Sequence, residues 1–373
     1  MRPIPPKLRI RRAARRSVVA LIRERAGKSA LVLATVLGLS ACTDVAPPSN
    51  NSTAPGEEVQ SLDVGLEMPW ATAFLPDGTA IISERDSARL IAIRDGVDSS
   101  LGTVPGVVAG GEGGLLGLAV SPDFATDGFL YAYFTAADDN RVARLPMDEQ
   151  GGQWTVGDPE VVFNGIPKSA THNGGRLRFG PDGMLYVGTG DAQRREQPQD
   201  PTALGGKILR LTPDGAPAAG NPFGDKNPVY SLGHRNVQGL AWDSSGQLWS
   251  SEFGPDVNDE LNLIEAGGNY GWPLVTGAPG NAKYKDAKTV WPSTADSSPS
   301  GLEIVGDTAY LGALRGERLW GVPLDGATAG EPVAYFTGEY GRLRDVALAP
   351  NGDLWVLTNR ENPDSVLTLQ PPG

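Results

Sequence analysis

The 373-residue chain holds two histidines, and both stand in polar loops flanked by glycine. His172 lies in Thr171-His172-Asn173-Gly174-Gly175-Arg176, and His234 lies in Gly233-His234-Arg235-Asn236-Val237-Gln238-Gly239. Glycine lets the backbone approach a ligand closely, and an imidazole titrates near neutral pH, so each is a candidate proton acceptor. A structural histidine is the plainer alternative for either one, and the two loops alone name no reaction. A third segment runs Ser251-Glu252-Phe253-Gly254-Pro255-Asp256-Val257-Asn258-Asp259-Glu260-Leu261-Asn262. It gathers carboxylates, amides and free carbonyls, the hard oxygen donors that suit Ca²⁺, but it lacks EF-hand spacing, and an acidic solvated loop has the same composition. Arg315, Arg342 and Arg344 form a late basic group. The alternation of Arg342 and Arg344 places both on one face of a strand, where paired guanidiniums suit a small anion; salt bridges to nearby acids are the alternative.

Such scattered residues need a scaffold that brings loops together. The 49 glycines and 31 prolines point to many short strands and turns. One signature recurs, a turn triplet followed by a short apolar run. Pro76-Asp77-Gly78 precedes Ala80-Ile81-Ile82, Pro181-Asp182-Gly183 precedes Met184-Leu185-Tyr186-Val187, and Pro350-Asn351-Gly352 precedes Leu354-Trp355-Val356-Leu357. The same signature sits at Asp123, Asp243 and Asp307, so the six units begin near 77, 123, 182, 243, 307 and 351. The spacings of 46, 59, 61, 64 and 44 residues match four-stranded blades with loops of varied length. No sustained helical periodicity interrupts them. The expected fold is all-β, a six-bladed β-propeller; a β-sandwich would not repeat one turn–strand signature six times. A ligand site at one mouth of the central channel would then draw residues from several blades.

The net charge of −12 conceals two unlike parts. Of the 32 basic residues ten lie within 1–42, and of the 44 acidic residues only one, so the remainder carries 22 against 43, a charge of −21. Nucleic acid is therefore not an expected partner. The one cysteine, Cys42, excludes an intramolecular disulfide and a thiolate metal cluster. It ends Leu39-Ser40-Ala41-Cys42, which follows a basic segment and an apolar stretch from Ala30 to Leu39 and resembles a bacterial lipobox. The expected layout is a lipoprotein signal peptide over 1–42, with Cys42 lipidated, a flexible Pro/Ser/Asn-rich tether over 43–60, and the propeller over 61–373. The protein is expected to be exported and held at a membrane through its N-terminal lipid.

Taken in order, several motifs resemble the soluble PQQ-dependent glucose and aldose sugar dehydrogenases, the glucose/sorbosone dehydrogenase family. They are Met68-Pro69-Trp70 with Ser83-Glu84-Arg85; Gly113-Gly114-Leu115-Leu116-Gly117 with Pro122-Asp123-Phe124; His172-Asn173-Gly174-Gly175-Arg176 through Gly190-Asp191; Gly233-His234-Arg235-Asn236; Asp259-Glu260-Leu261-Asn262; Gly268-Asn269-Tyr270-Gly271-Trp272-Pro273; and Arg342-Leu343-Arg344-Asp345-Val346. The resemblance implies the six-bladed fold and oxidation of an aldose C1 hydroxyl to a lactone, with PQQ and Ca²⁺ as cofactors and an external electron acceptor. It makes His172 the general base and sets Arg235 and Asn236 at the quinone oxygens, with Arg235 stabilising the charge that develops there. It places Arg315, Arg342, Arg344 and Ser293 near the rest of the cofactor, and Glu112 and Trp291 near the sugar. The carbonyls of Gly254 and Pro255 would hold the Ca²⁺ that polarises PQQ, while Glu260 and the carbonyl of Tyr270 would serve a second, structural Ca²⁺. Some positions depart from the glucose-oxidising branch of the family: Glu112 stands for a Gln, Thr171 for an acid before the base, Arg315 for a Lys and Ser293 for a Thr. Loss of the acid at 171 removes one orienter of the imidazole. A non-catalytic surface propeller that binds glycans or a partner protein is the alternative function, and a calcium-dependent lactonase of similar shape is a third.

Overall fold

The computed structural model describes residues 59–359 and 363–372, so the expected signal peptide, Cys42 and nearly all of the expected tether lie outside the described residues. Six antiparallel sheets follow one another along the chain, four of four strands and two of five. Each of the six sequence signatures is the hairpin joining the first two strands of a blade, as in Pro69–Phe74 with Ala80–Glu84 and Gly174–Phe179 with Leu185–Thr189. Among the described residues the single helix is Phe124–Asp127, four residues beside the second of these turns. No helix there is long and apolar enough to cross a membrane.

The first strands of the blades line up around a centre. Pro69–Phe74 neighbours Leu115–Val120, which neighbours Gly174–Phe179, and so on through Val237–Trp242, Pro299–Val305 and Leu343–Leu348 back to Pro69–Phe74. The ring is closed by Gln60–Leu66, the outer strand of the last blade. It pairs with Asp364–Leu369, Gln60 facing Thr368 and Ser61 facing Leu367. This strand starts at Gln60, one residue inside the segment expected to be tether.

The blades pack face to face, so most central strands are buried along nearly their whole length, polar residues such as Ser83, Glu84, Ser250 and Glu252 included. Ala80–Glu84 and Phe129–Thr135 have almost no exposed residue, and Ile81, Leu115, Leu130 and Leu145 pack into a core shared between neighbouring blades. Trimming one of these side chains, as in Leu130→Ala, would cost about 2–5 kcal/mol through lost transfer energy and the cavity left behind.

One irregularity repeats in all six blades. The pairing between first and second strands slips by one residue near the start of the first strand, between Pro69 and Ala71, Leu115 and Leu118, Gly174 and Leu177, Val237 and Gly239, Pro299 and Leu302, and Leu343 and Asp345. Such bulges bend a strand and re-aim its side chains. The chemically promising residues cluster at this end of the blades: Glu112, His172, Arg235 and Arg342 just before first strands, and Gly254, Pro255 and Arg315 in connections between second and third strands.

Candidate active site

Two adjoining cavities open at this end and share Glu112, Phe253, Leu314 and Arg342 as walls. One, of about 240 Å³, is also lined by His172, Arg235, Gly254, Pro255, Asp259, Thr294 and Arg315. The other, of about 350 Å³, reaches Trp70, Arg85, Gln238, Arg344 and Asn359.

His172 takes a left-handed backbone conformation, φ 59°, which few side chains adopt without a reason. Its N–H donates to Glu112 Oε2 at 2.7 Å. Its carbonyl lies so close to Gly190 that a Cβ there would come within 1.9 Å of it. Glycine at 190 therefore lets the next residue, Asp191, reach the ring: Asp191 Oδ1 lies 2.7 Å from His172 Nδ1. The other carboxylate oxygen accepts from Trp272 Nε1 at 2.8 Å, and Gln193 N–H donates to Oδ1 at 2.8 Å. Burial pushes the Asp191 pKa up, but the hydrogen bonds from His172, Gln193 and Trp272 outweigh it and hold the carboxyl below its usual value. An ionised carboxylate only accepts, so Nδ1 carries the ring proton and Nε2 keeps its lone pair at the cavity wall.

The orienter missing at Thr171 is thus supplied by Asp191. Gly174 pairs with Thr189 at the end of the hairpin, and just beyond it the side chains of His172 and Asp191 meet. Thr171 instead accepts from Gln193 Nε2. His234 is structural: it is fully buried, Nδ1 meets Glu252 Oε2 at 2.9 Å, Nε2 meets Ser231 Oγ at 2.8 Å, and its ring stacks on Tyr270.

The cationic side is built from five arginines, Arg85, Arg235, Arg315, Arg342 and Arg344. Arg235 reaches the Phe253 carbonyl with Nη1 at 3.1 Å and lies over the Trp272 ring, while its buried Nε has no partner among the described residues. Burial lowers its pKa against the opposing pull of Asp191, Glu252, Glu112 and Asp259. Asn236 accepts from Gly174 N–H through Oδ1 at 2.9 Å and leaves Nδ2 buried and unpartnered. Arg344 meets only neutral groups, Gln238, Ser300 and Asn359, each at 3.3 Å, and its Nε is also unpartnered. Burial, then the charges of Arg85, Arg342 and Arg176, push its pKa down to about 9. Arg342 is lowered by burial and by Arg315 and Arg85, against the charge of Glu317. Buried donors with nothing to bond, beside crowded guanidiniums, form a set that fits an acceptor-rich anion.

Two expected residues lie elsewhere. Trp291 is buried in an apolar core, its ring 5.7 Å from Trp320, because its strand Thr289–Trp291 is the outermost of its blade and faces the neighbouring blade. Ser293 Oγ caps the Ala295 N–H and does not line either cavity. Thr294, one residue on, lines the smaller cavity and accepts from Arg315 Nη1 at 3.0 Å. Asp259, known to the sequence only as part of a motif, also lines it; burial pushes its pKa up to about 6 despite hydrogen bonds from Ser298 N–H at 2.6 Å and Gly254 N–H at 2.8 Å.

Behind Gly254 and Pro255 lies a narrow cavity of about 10 Å³ that also touches Glu252, Glu260, Tyr270 and Thr276. A Cβ on Gly254 would meet the Val257 carbonyl at 2.0 Å, so this backbone is pressed tightly against the turn that follows. Burial, then the neighbouring Glu252 charge, pushes the Glu260 pKa up to about 8. Two acids and nearby backbone carbonyls form a hard-oxygen set that fits a cation. Among the described residues no group of three or more His, Cys, Asp or Glu forms a metal cluster, so such a cation would depend on carbonyls.

The sequence profile described as Glucose / Sorbosone dehydrogenase matches residues 66–367. The aldose sugar dehydrogenase of Escherichia coli (strain K12) is 32% identical, over 92% of this chain and 99% of that protein. The quinoprotein glucose dehydrogenase B of Acinetobacter calcoaceticus is 33% identical, over 66% of this chain and 58% of that protein. Among solved structures, the PQQ-bound aldose sugar dehydrogenase of Streptomyces coelicolor superposes with a TM-score of 0.80 at 48% identity, covering 87% of this chain and 99% of that one.

Proposed function

The chain belongs to the glucose/sorbosone dehydrogenase family, and on that premise we propose that it is a PQQ-dependent aldose sugar dehydrogenase that converts the C1 hydroxyl of an aldose into a lactone carbonyl. The observation that carries the mechanism is the His172–Asp191 pair at 2.7 Å on the wall of a cavity whose other side is cationic. His172 Nε2 accepts the C1 hydroxyl proton, and Asp191 stabilises the imidazolium that forms. When bound, PQQ supplies the two-electron acceptor for the hydride that leaves C1. Arg235 and Asn236, which carry buried unpartnered donors, would bond the quinone oxygens, and Arg315, Arg342 and Arg344 on the cavity walls would neutralise the cofactor's carboxylates. Thr294 takes the place beside Arg315 that was expected of Ser293. Glu112 is fixed through the His172 N–H at the junction of the two cavities and offers a carboxylate to sugar hydroxyls.

The Gly254 and Pro255 carbonyls would hold a Ca²⁺ at the cofactor, and Glu260 with the Tyr270 carbonyl would hold a second one in the narrow cavity behind. Electrons then pass to an external acceptor. The basic leader, the apolar run and Cys42 support export and lipid anchoring at a membrane. The deciding experiment is dye reduction by the purified protein over a panel of aldoses, with and without added PQQ and Ca²⁺. Turnover that requires PQQ supports the proposal. Absence of turnover, together with absence of PQQ binding by calorimetry, overturns it in favour of a propeller that only binds.

A further inference from the structure

Trp272 contacts both halves of the site without lining either main cavity. Its Nε1–H donates to Asp191 Oδ2 at 2.8 Å, on the carboxylate whose other oxygen meets the His172 ring. Two guanidiniums lie over its ring, Arg195 at 4.7 Å and Arg235 at 5.5 Å from the centroid. Its backbone is fastened on both sides: Trp272 N–H donates to the Gly233 carbonyl at 2.8 Å, and its own carbonyl accepts from Gln199 Nε2 at 2.8 Å. Asp191 N–H in turn donates to the Arg235 carbonyl at 2.8 Å. Asp191, Arg235 and Trp272 therefore form a closed circuit, with the indole only 6% exposed.

We propose that Trp272 is a positioning residue that sets the proton acceptor His172, through Asp191, at a fixed offset from Arg235 on the hydride-accepting side. The proposal rests on the dehydrogenase reading above. Proton loss and hydride loss from one C1–OH group need both acceptors aligned at once, so a small drift of either lowers turnover without weakening binding. The N–H and the ring face do separable jobs. The N–H holds Asp191 Oδ2, the carboxylate oxygen that the His172 ring and the Gln193 N–H leave unbonded. The face holds Arg235 by cation–π attraction in a partly desolvated place.

The test uses the full chain reconstituted with PQQ and Ca²⁺. Trp272→Phe keeps a ring face and removes the N–H; it should lower kcat roughly tenfold, the scale of one lost charge-assisted hydrogen bond, with the sugar KM and the calorimetric PQQ Kd within about twofold. In an Asp191→Asn background the same change should alter kcat less than about twofold, because the two residues act as one unit. Trp272→Leu, which also removes the ring face, should in addition weaken PQQ binding about fivefold or more. Equal losses from Trp272→Phe in both backgrounds, or an unchanged kcat, would overturn the proposal. If the Phe variant does not fold, replacing Trp272 by 3-benzothienylalanine, in which sulfur stands for the N–H at unchanged ring shape, carries the same two expectations. A wild-type protein that binds no PQQ defeats the enzyme reading; one that binds PQQ and turns over while the variants behave like it defeats only the role of Trp272.

Discussion

At His172 the identity of the free nitrogen is decided by its neighbour. Asp191 is ionised and can only accept, so the base presented to a sugar is Nε2. His172→Ala should reduce dye-linked turnover about 10²–10⁴-fold while calorimetry still finds PQQ bound, since the alanine variant loses a proton acceptor and no cofactor contact. Retained turnover would sink the mechanism. The residue scale is also where sequence reasoning was least even. His172, Arg235 and Arg342 converge on the cavities from segments the sequence singled out, and Glu112 joins them as the resemblance implied, whereas His234, in the same kind of glycine-flanked loop, is structural. Trp291 misled because an aromatic next to a loop has the same letters whether it covers a sugar or a core, and only the packing of its outer strand against Trp320 decides. Ser293 and Thr294 are neighbours, and nothing in a single sequence tells which of two hydroxyls a turn will face inward.

At the scale of strands, Glu252 and Glu260 are direct cross-strand partners, in Leu248–Glu252 and Asp259–Ile264. Opposed like charges destabilise a sheet unless something stands between them. The raised Glu260 pKa has a definite sign: folding takes up a proton between about 4.5 and about 8, so in metal-free protein this group's contribution favours the folded state at low pH and is lost as pH rises through about 8. Added Ca²⁺ should raise Tm most at the alkaline end of that window, and chelator should remove the gain. Glu260→Gln should make metal-free protein more stable near pH 8 and blunt the response to Ca²⁺; a Ca²⁺ response as large as wild type would count against the site. A second device holds the connection that begins at Asp191. Lys207, fully buried at the start of Lys207–Leu211, donates to the carbonyls of Gln197, Pro198 and Gly205 at 2.6, 3.2 and 2.8 Å. Lys207→Met strands those carbonyls and should lower stability in guanidinium unfolding by about 2–3 kcal/mol, with a fall in kcat because Asp191 loses its support.

For the whole molecule, the six-blade count was legible because the first hairpin of each blade carries an Asp or Asn turn before an apolar strand, with glycine at positive φ in most of them, as at Gly78, Gly183 and Gly352. The sixfold slip of the first strands was not legible. A bulge adds one residue to one strand and leaves the apolar pattern nearly unchanged, yet the slip between Leu343 and Asp345 decides where Arg344 points. The proposed lipidation of Cys42 belongs to this scale as well. Cys42→Ala should move the protein from the membrane fraction to the soluble fraction of the exported compartment while dye reduction persists, because no site residue lies upstream of the propeller; continued membrane retention would count against lipidation. The ring closure has a separate consequence. Since Gln60 faces Thr368 in the same blade, the start and finish of the propeller are neighbours in space, and the order in which its blades are synthesised is arbitrary. A circular permutant in which a short linker joins residues 372 and 59, and which opens at the exposed Gly151-Gly152 hairpin tip, should assemble the same binding mouth, and its new ends would offer a place to fuse an electron-carrying partner outside every loop proposed to touch the sugar.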